Sequence, residues 1–199
     1  MLESLIEQAR GNSVAELIAV AFAVAYLLLA VREHIGCWFA AMISTAIYLL
    51  IFIDVRLYME AALQVFYFGM ALYGWRQWTH GGRADRPLAV STWTPSQHGV
   101  AIGVIVAATF LSTWLLSSYT DARLPLLDSF TTWGAVITTF MVARKVLENW
   151  IYWLVIDSVA IFLYLDRELY FTALLFAVYI VIIFFGWASW LKSYRQQIA

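Results

Sequence analysis

The chain has 199 residues, of which 63% are hydrophobic and 13% are charged, and its formal net charge is −1. A soluble domain is typically about 45–50% apolar and about 25% charged, and one core of this size would not bury so much apolar surface. This composition argues against a soluble globular domain, and the near-zero charge gives no sign of nucleic-acid binding. We therefore expect an integral membrane protein that is embedded in the lipid bilayer.

Seven stretches approach the length of about 20 apolar residues that a membrane-spanning helix needs. In chain order they are Ser13–Val31, Cys37–Ile53, Leu57–Trp75, Gly99–Ser117, Asp128–Ala143, Asn149–Leu165 and Leu169–Leu191. Ser13 and Glu16 have the spacing of a capping box at the start of the first helix. We expect Pro87, Pro95 and Pro125 between helices, where a missing backbone N–H costs nothing.

The basic residues are unevenly divided between the two sides of the membrane. An alternating path of seven helices places four Lys or Arg on the side of the N-terminus and eight on the other side. The richer side includes the polar stretch 77–97, which is the predicted linker. Because positively charged loops stay in the cytoplasm, we expect the N-terminus outside and the C-terminus in the cytoplasm.

Two parts of the chain resemble each other. When 30–78 is aligned with 142–190 without a gap, the two copies share eleven identities, including Gly74-Trp75 with Gly186-Trp187. We call two positions that this alignment pairs equivalent. The copies lie four membrane crossings apart, so they run in the same direction around an axis along the membrane normal. Tryptophans recur at the helix ends, and we interpret them as anchors in the interface belt. They are Trp75, Trp78, Trp187 and Trp190.

The repeat predicts the fold class and the division of the chain. We expect an all-α integral membrane protein whose seven helices form a three-plus-one-plus-three arrangement of parallel repeats. The first three-helix repeat is predicted at 13–75, and the second at 128–191. Between them, 76–127 would hold a cytoplasmic loop and the fourth helix, which inverts the chain direction. Such repeats are typical of carriers that bind substrate at the repeat interface near the midplane.

The sixth helix carries the most informative polar residues. Trp150, Trp153, Asp157 and Tyr164 share one helical face, and Asp157 lies about mid-helix. A carboxylate at the membrane midplane costs roughly 2.5–3.5 kcal/mol on insertion scales, so we expect a hydrogen-bond partner, a proton or a cationic ligand beside it. A protonated Asp157 that bonds to a neighbouring threonine or tyrosine is the purely structural alternative.

Matching polar and aromatic faces occur on the second, third and fifth helices. Aromatic planes with one carboxylate suit a flat, positively charged heterocycle, and the amide of Asn149 or Gln64 can read the hydrogen-bonding edges of such a ring. The candidate substrate-binding residues are Trp38, Tyr48, Gln64, Tyr67, Thr139, Asn149, Trp150, Trp153 and Asp157.

Two other classes of membrane protein fit the sequence less well. The three histidines lie in or beside loops without metal-ligand spacing, and no nucleophile–base pair is visible, so we expect no enzyme, catalytic residue, metal or cofactor. A retinal photoreceptor needs a lysine within its last helix, whereas Lys192 lies at the very end of that helix.

Two motifs carry a resemblance to a known family. Residues Tyr73–Trp78 have the sequence Tyr-Gly-Trp-x-x-Trp. The segment Ala143–Asp157 contains, in this order, Ala-Arg-Lys at 143–145, Glu-Asn-Trp at 148–150, Trp153 and Asp157. Over nearly its whole length the chain resembles the PnuC family of bacterial vitamin transporters. The resemblance implies a multi-pass inner-membrane carrier with the three-plus-one-plus-three plan of the related SWEET sugar transporters. It also implies a homotrimer, as in related carriers.

The resemblance further implies nicotinamide riboside uptake by facilitated diffusion, after which a cytoplasmic vitamin kinase phosphorylates and traps the product. It implies that the site is lined by Gln64, Tyr67, Asn149, Trp153 and Asp157. In the riboside branch, a glutamine tends to occupy the position of Thr139 and an asparagine lies near that of Ala71. Thiamine or riboflavin transport by the same family, and sugar transport of the SWEET type, therefore remain alternatives.

Overall fold

The computed structural model describes residues 14–54, 58–82, 88–120, 124–166 and 170–198. These residues form seven α-helices, as the apolar stretches predicted. The helices are α1 (Val14–Val31), α2 (Gly36–Asp54), α3 (Tyr58–His80), α4 (Pro95–Tyr119), α5 (Pro125–Ala143), α6 (Asn149–Asp166) and α7 (Tyr170–Ile198). Six of them, all but α3, are long and apolar enough to cross a membrane. The prediction of an all-helical, multi-pass chain is confirmed.

Two of the prolines begin helices, whereas the sequence placed them between helices. Pro95 and Pro125 open α4 and α5, because the first helical position has no N–H partner to lose and favours the φ angle of proline. Thr94 caps α4. Its hydroxyl oxygen accepts from the backbone N–H of Gln97 at 3.4 Å, and the side-chain oxygen of Gln97 accepts from the backbone N–H of Thr94 at 2.9 Å. The predicted cap Ser13, and Pro87, lie outside the described residues.

Six of the helices form a closed ring. Going round, α1 contacts α2, α2 contacts α3, α3 contacts α5, α5 contacts α6, α6 contacts α7, and α7 returns to α1. Helix α4 packs along α5 and lies outside the ring, and its His98 ring nitrogen also lies 2.9 Å from the hydroxyl oxygen of Tyr152 on α6. Short connections explain the contacts between consecutive helices, whereas the α3–α5 and α7–α1 contacts close the ring by tertiary packing.

One end of the bundle is built around four tryptophans, and we call it the tryptophan end. Helices α1, α3, α5 and α7 finish there, and α2, α4 and α6 begin there. Edge-to-face contacts join Trp38 to Trp78 at 5.3 Å and Trp150 to Trp190 at 5.4 Å between ring centroids, and Trp78 lies 6.0 Å from Trp190. These rings form a continuous cluster that crosses the bundle.

The interpretation of Trp78 and Trp190 as interface-belt anchors is wrong. Their side chains are only 4% and 0% exposed, because their indole groups turn into the bundle and bond to other helices. Trp78 donates to the carbonyl oxygen of Val142 at 3.2 Å, and Trp190 donates to that of Ala30 at 2.9 Å. Trp75, by contrast, is 38% exposed.

The contacts at this end occur twice, at equivalent positions of the two copies. Val142 is equivalent to Ala30, and the two tryptophans that bond to them are equivalent as well. The rings of Trp38 and Trp150 lie directly against Gly74 and Gly186, where an added Cβ would overlap them. Glycine is therefore needed at both positions, and the repeated Gly-Trp motif reflects close packing of a helix on a tryptophan ring.

The two turns that precede α2 and α6 also have the same backbone geometry. Glu33 and Lys145 adopt left-handed conformations with φ values of 53° and 51°. The next residue in each turn, His34 or Val146, donates its N–H to a carbonyl five residues earlier, at 2.9 Å in both cases. The second turn also holds the linker, because Ser91 pairs with the backbone on either side of Val146.

Candidate functional site

The first layer of the candidate site lies at the tryptophan end, where α6 begins. Asn149 is fully buried, and its side-chain nitrogen donates to the carbonyl oxygen of Val146 at 2.7 Å. Within the described residues, the side-chain amide oxygen of Asn149 and the indole nitrogens of Trp38 and Trp150 are buried without a hydrogen-bond partner. Such groups lose hydration without compensation, so this layer offers two donors and one acceptor to a ligand or to water.

The second layer is centred on Asp157, which is 4% exposed. Eight residues separate it from Asn149, which corresponds to about 12 Å along α6. Tyr179 of α7 lies close enough to interact electrostatically with Asp157, with Tyr164 and with Tyr48 of α2. Residues from α2 and α6 therefore come together around Tyr179 of α7.

The hydroxyl groups near this level do not supply the partner that the structural alternative predicts for Asp157. Thr45, Thr138 and Thr139 donate to carbonyl oxygens of their own helices at 2.8, 2.7 and 2.7 Å. In the part of the chain that the structure describes, no hydrogen bond reaches the Asp157 carboxyl group. A buried carboxyl group without a protein donor is a ready acceptor for a polar or cationic ligand.

The aromatic rings of this layer form two sets. Tyr48 stacks on Phe52 with centroids 5.6 Å apart and an interplanar angle of 20°. In the second set, Phe176 lies 5.1 Å from Tyr164 and 5.4 Å from Tyr179. Tyr164 and Tyr179 were not among the candidate residues. The i, i+7 spacing of Asp157 and Tyr164 was the available signal for the first of them.

The remaining candidates are partly buried on neighbouring surfaces. Trp153 packs against the core that contains the four tryptophans. Gln64 and Tyr67 are half-buried on α3, and Tyr67 interacts with Tyr26, whose ring lies 6.0 Å from that of Trp38. The structure thus places Trp38, Asn149, Trp150 and Trp153 in the first layer, and Tyr48 with Asp157 in the second.

The polar groups of the site are duplicated only in part: Trp38 with Trp150 and Tyr67 with Tyr179 are identical equivalent pairs. Several of the polar and aromatic candidates have an equivalent residue of a different type. These equivalent pairs are Cys37 with Asn149, Thr45 with Asp157, Tyr48 with Ala160, and Gln64 with Phe176. The arrangement therefore offers one asymmetric site, with its carboxyl group on α6 only.

Comparisons with known proteins identify the family. Residues 13–192 match the family model described as nicotinamide mononucleotide transporter. The chain is 23% identical over 194 residues to the nicotinamide riboside transporter PnuC of Escherichia coli strain K12, covering 85% of this chain and 81% of that one. It is 27% identical over 142 residues to the riboflavin/roseoflavin transporter RibM of Streptomyces davaonensis, covering 69% and 67%.

The fold is likewise that of a solved transporter. A crystal structure of the vitamin B3 transporter PnuC superimposes with a TM-score of 0.74 at 19% identity, covering 98% of this chain and 90% of the other. The family match extends over nearly the whole chain, and it confirms the resemblance that the Tyr73–Trp78 and Ala143–Asp157 motifs indicated. The chain belongs to the nicotinamide mononucleotide transporter family, the family of membrane transporters, not enzymes, that includes PnuC.

Proposed function

We propose that the protein is an inner-membrane carrier that takes up nicotinamide riboside by facilitated diffusion. The observation that carries the substrate class is the buried Asp157 carboxyl group, which has Tyr179 near it and no described hydrogen-bond donor. A pyridinium ring is flat and cationic, so it gains from both the carboxylate and the aromatic faces. The name of the E. coli relative supports the same substrate.

The two layers would bind different parts of such a substrate. Asp157, Tyr48, Tyr164 and Tyr179 would receive the charged ring. The indole donors and the Asn149 amide oxygen, about 12 Å along the helix, would bond to the hydroxyl groups of the sugar. Gln64, Tyr67, Thr139 and Trp153 would complete the wall of the site.

We propose that α1–α3 and α5–α7 are two parallel repeats related by an axis along the membrane normal, with α4 as the inverting helix. The reciprocal bonds of Trp78 with Val142 and of Trp190 with Ala30 support this arrangement. So does the order of helices in the ring, which is unchanged when α1–α3 and α5–α7 are exchanged. Transport would proceed by rocking one repeat against the other around the site.

The orientation and assembly are also proposals. All seven helices would cross the membrane, with the N-terminus outside, so the tryptophan end would face the cytoplasm. There a vitamin kinase would phosphorylate the product, and the added charge would prevent its return. We propose a homotrimer on the basis of the family resemblance. Chemical cross-linking in native membranes, resolved by gel electrophoresis, would give a trimer band if this is correct and only monomer otherwise.

Riboflavin is the second candidate substrate, because the similarity to RibM is comparable to the similarity to PnuC. Riboflavin is a larger and uncharged ring system, so it would use the aromatic faces without needing the charge of Asp157. Thiamine shares a cationic ring with nicotinamide riboside, and the charge argument applies to it equally. These three vitamins therefore form the panel for a test.

The test is uptake by liposomes that contain the purified protein. We expect labelled nicotinamide riboside to enter in a saturable manner without an ion gradient, and to stop at equal concentrations inside and outside. Enclosing a nicotinamide riboside kinase with ATP should raise internal label above that limit. Empty liposomes give the leak rate. Folded protein that transports riboflavin alone would support the second candidate, and uptake of none of the three would overturn the proposal.

A further inference from the structure

A single ion pair joins the two turns at the tryptophan end. The Lys145 ammonium nitrogen lies 2.8 Å from a carboxylate oxygen of Glu33. Their side chains are only 8% and 17% exposed, so the attraction is screened less than in an exposed pair. The two residues occupy equivalent positions, and each is the left-handed residue of its turn.

Lys145 also ties this pair to the tryptophan cluster. Its ammonium nitrogen lies 4.6 Å from the centroid of the Trp78 ring, a geometry in which the ring attracts the cation. Trp78 itself bonds to Val142, and Trp190 bonds to Ala30. Each of these four contacts joins the α1–α3 part of the chain to the α5–α7 part, and together they close this end.

Resting on the carrier function proposed above, we propose that Glu33 and Lys145 form a latch between the two repeats, and that this contact must break before substrate passes the tryptophan end. Both residues line a groove of about 970 Å³ that also includes Trp93, Arg144 and Gln197. Solvent therefore reaches the outer side of the pair, and separation of the two turns would extend that solvent inward.

Cys37 is a natural reporter for such an opening. It is the only cysteine of the chain, it is 0% exposed, and it lies four residues after Glu33 in the first turn of α2. Lys145 is near enough to interact with it electrostatically. Because Cys37 is buried beside the latch, loosening of the packing there should expose it, so its labelling rate by a thiol reagent should rise when this end opens more often.

The experiment measures labelling of Cys37 in purified protein by a charged, membrane-impermeant maleimide, without any substrate. The variants are Glu33→Gln, Lys145→Gln and the double exchange Glu33→Lys with Lys145→Glu. Because the two turns share one backbone geometry, the exchange restores opposite charges, and the new lysine would face Trp190 as Lys145 faces Trp78. Labelling after denaturation gives the total thiol, and Cys37→Ser gives the background.

We expect each single variant to label about tenfold faster than the original protein, because a charge-assisted bond is lost. The double exchange should return the rate to within about threefold of the original. The latch is overturned if both single variants label at the original rate, or if the double exchange labels as fast as they do. Because the assay contains no vitamin, absence of uptake in liposomes would defeat the substrate proposal and leave this result standing.

Discussion

The indole nitrogen of Trp190 donates to the carbonyl oxygen of Ala30 at 2.9 Å, so the last helix is bonded to the end of the first. The same contact joins Trp78 to Val142, which are the equivalent residues of the other copy. Both carbonyl oxygens also accept the N–H of the residue three positions later, Glu33 or Lys145. The indole groups therefore reinforce helix ends that are already capped, and they attach each end to a distant part of the chain.

Trp190→Phe should lower the stability of the protein by about 1–3 kcal/mol, since it removes one hydrogen bond and leaves a small cavity. The midpoint of thermal unfolding in detergent measures the effect. Trp114→Phe is the matched control, because Trp114 is 59% exposed on α4 and should change stability by less than about 0.5 kcal/mol. Equal shifts for both variants would show that the Trp190 bond contributes nothing measurable.

Gly186→Ala should destabilise the protein by about 1–3 kcal/mol, because the new methyl group would overlap the ring of Trp150. Gly74→Ala should behave alike, since its methyl group would overlap the ring of Trp38. Gly103 in α4 provides the control: nothing lies within 4 Å of its added Cβ, so alanine there should be neutral or stabilise by up to about 1 kcal/mol. A stabilising effect at Gly186 would contradict the packing described.

Asp157→Asn should weaken binding of nicotinamide riboside by about tenfold or more, because the neutral amide keeps the shape but removes the charge that attracts the ring. Isothermal titration calorimetry with purified protein is the measurement. Asp54→Asn is the control, since Asp54 is an exposed carboxylate at the end of α2. Binding of riboflavin should be the same with and without the Asp157 charge. Unchanged riboside affinity would show that the carboxylate takes no part in recognition.

A reporter at each terminus tests the orientation in the membrane. Green fluorescent protein matures in the cytoplasm, and alkaline phosphatase is active only outside it. We expect fluorescence from a C-terminal fusion and phosphatase activity from an N-terminal fusion carrying a secretion signal. The reverse pattern would contradict the orientation that we infer from four basic residues on one side of the membrane and eight on the other. Matching compartments for the two termini would contradict seven crossings.

The helices were predictable because each apolar stretch approaches the length that spans the bilayer, and neither the number nor the order of helices depends on tertiary detail. The ends of the helices were less predictable from the sequence. The sequence ended the third helix at Trp75, whereas α3 continues to His80. Trp78 lies in that extra turn, where the polar residues around it suggested the membrane interface. Its burial depends on rings from two other helices, Trp38 of α2 and Trp190 of α7, and that packing is not visible in a local pattern.

The candidate site was likewise predictable from the sequence only in part. The face shared by Trp150, Trp153 and Asp157 follows from helical periodicity, and Asp157 is indeed deeply buried. The hydrogen bond from the Asn149 side chain to Val146 requires the conformation of the turn, which the sequence does not reveal. Tyr179 enters the site from α7 because α7 packs against α6, whereas its proximity to Tyr48 of α2 follows from tertiary packing that the sequence does not reveal. Aligning the two copies predicted which positions are equivalent, but a search for identities passes over Glu33 and Lys145 because they differ.

The opposite charges of Glu33 and Lys145 affect which parts of such a chain can associate. Glu33 contacts the residue at its own equivalent position, so two identical copies of the first half, docked in the same way, would press one glutamate against another. Two copies of the second half would do the same with lysine, and like charges repel. This ion pair therefore disfavours self-association of either half in that geometry, and it favours contact between the two different halves of one polypeptide.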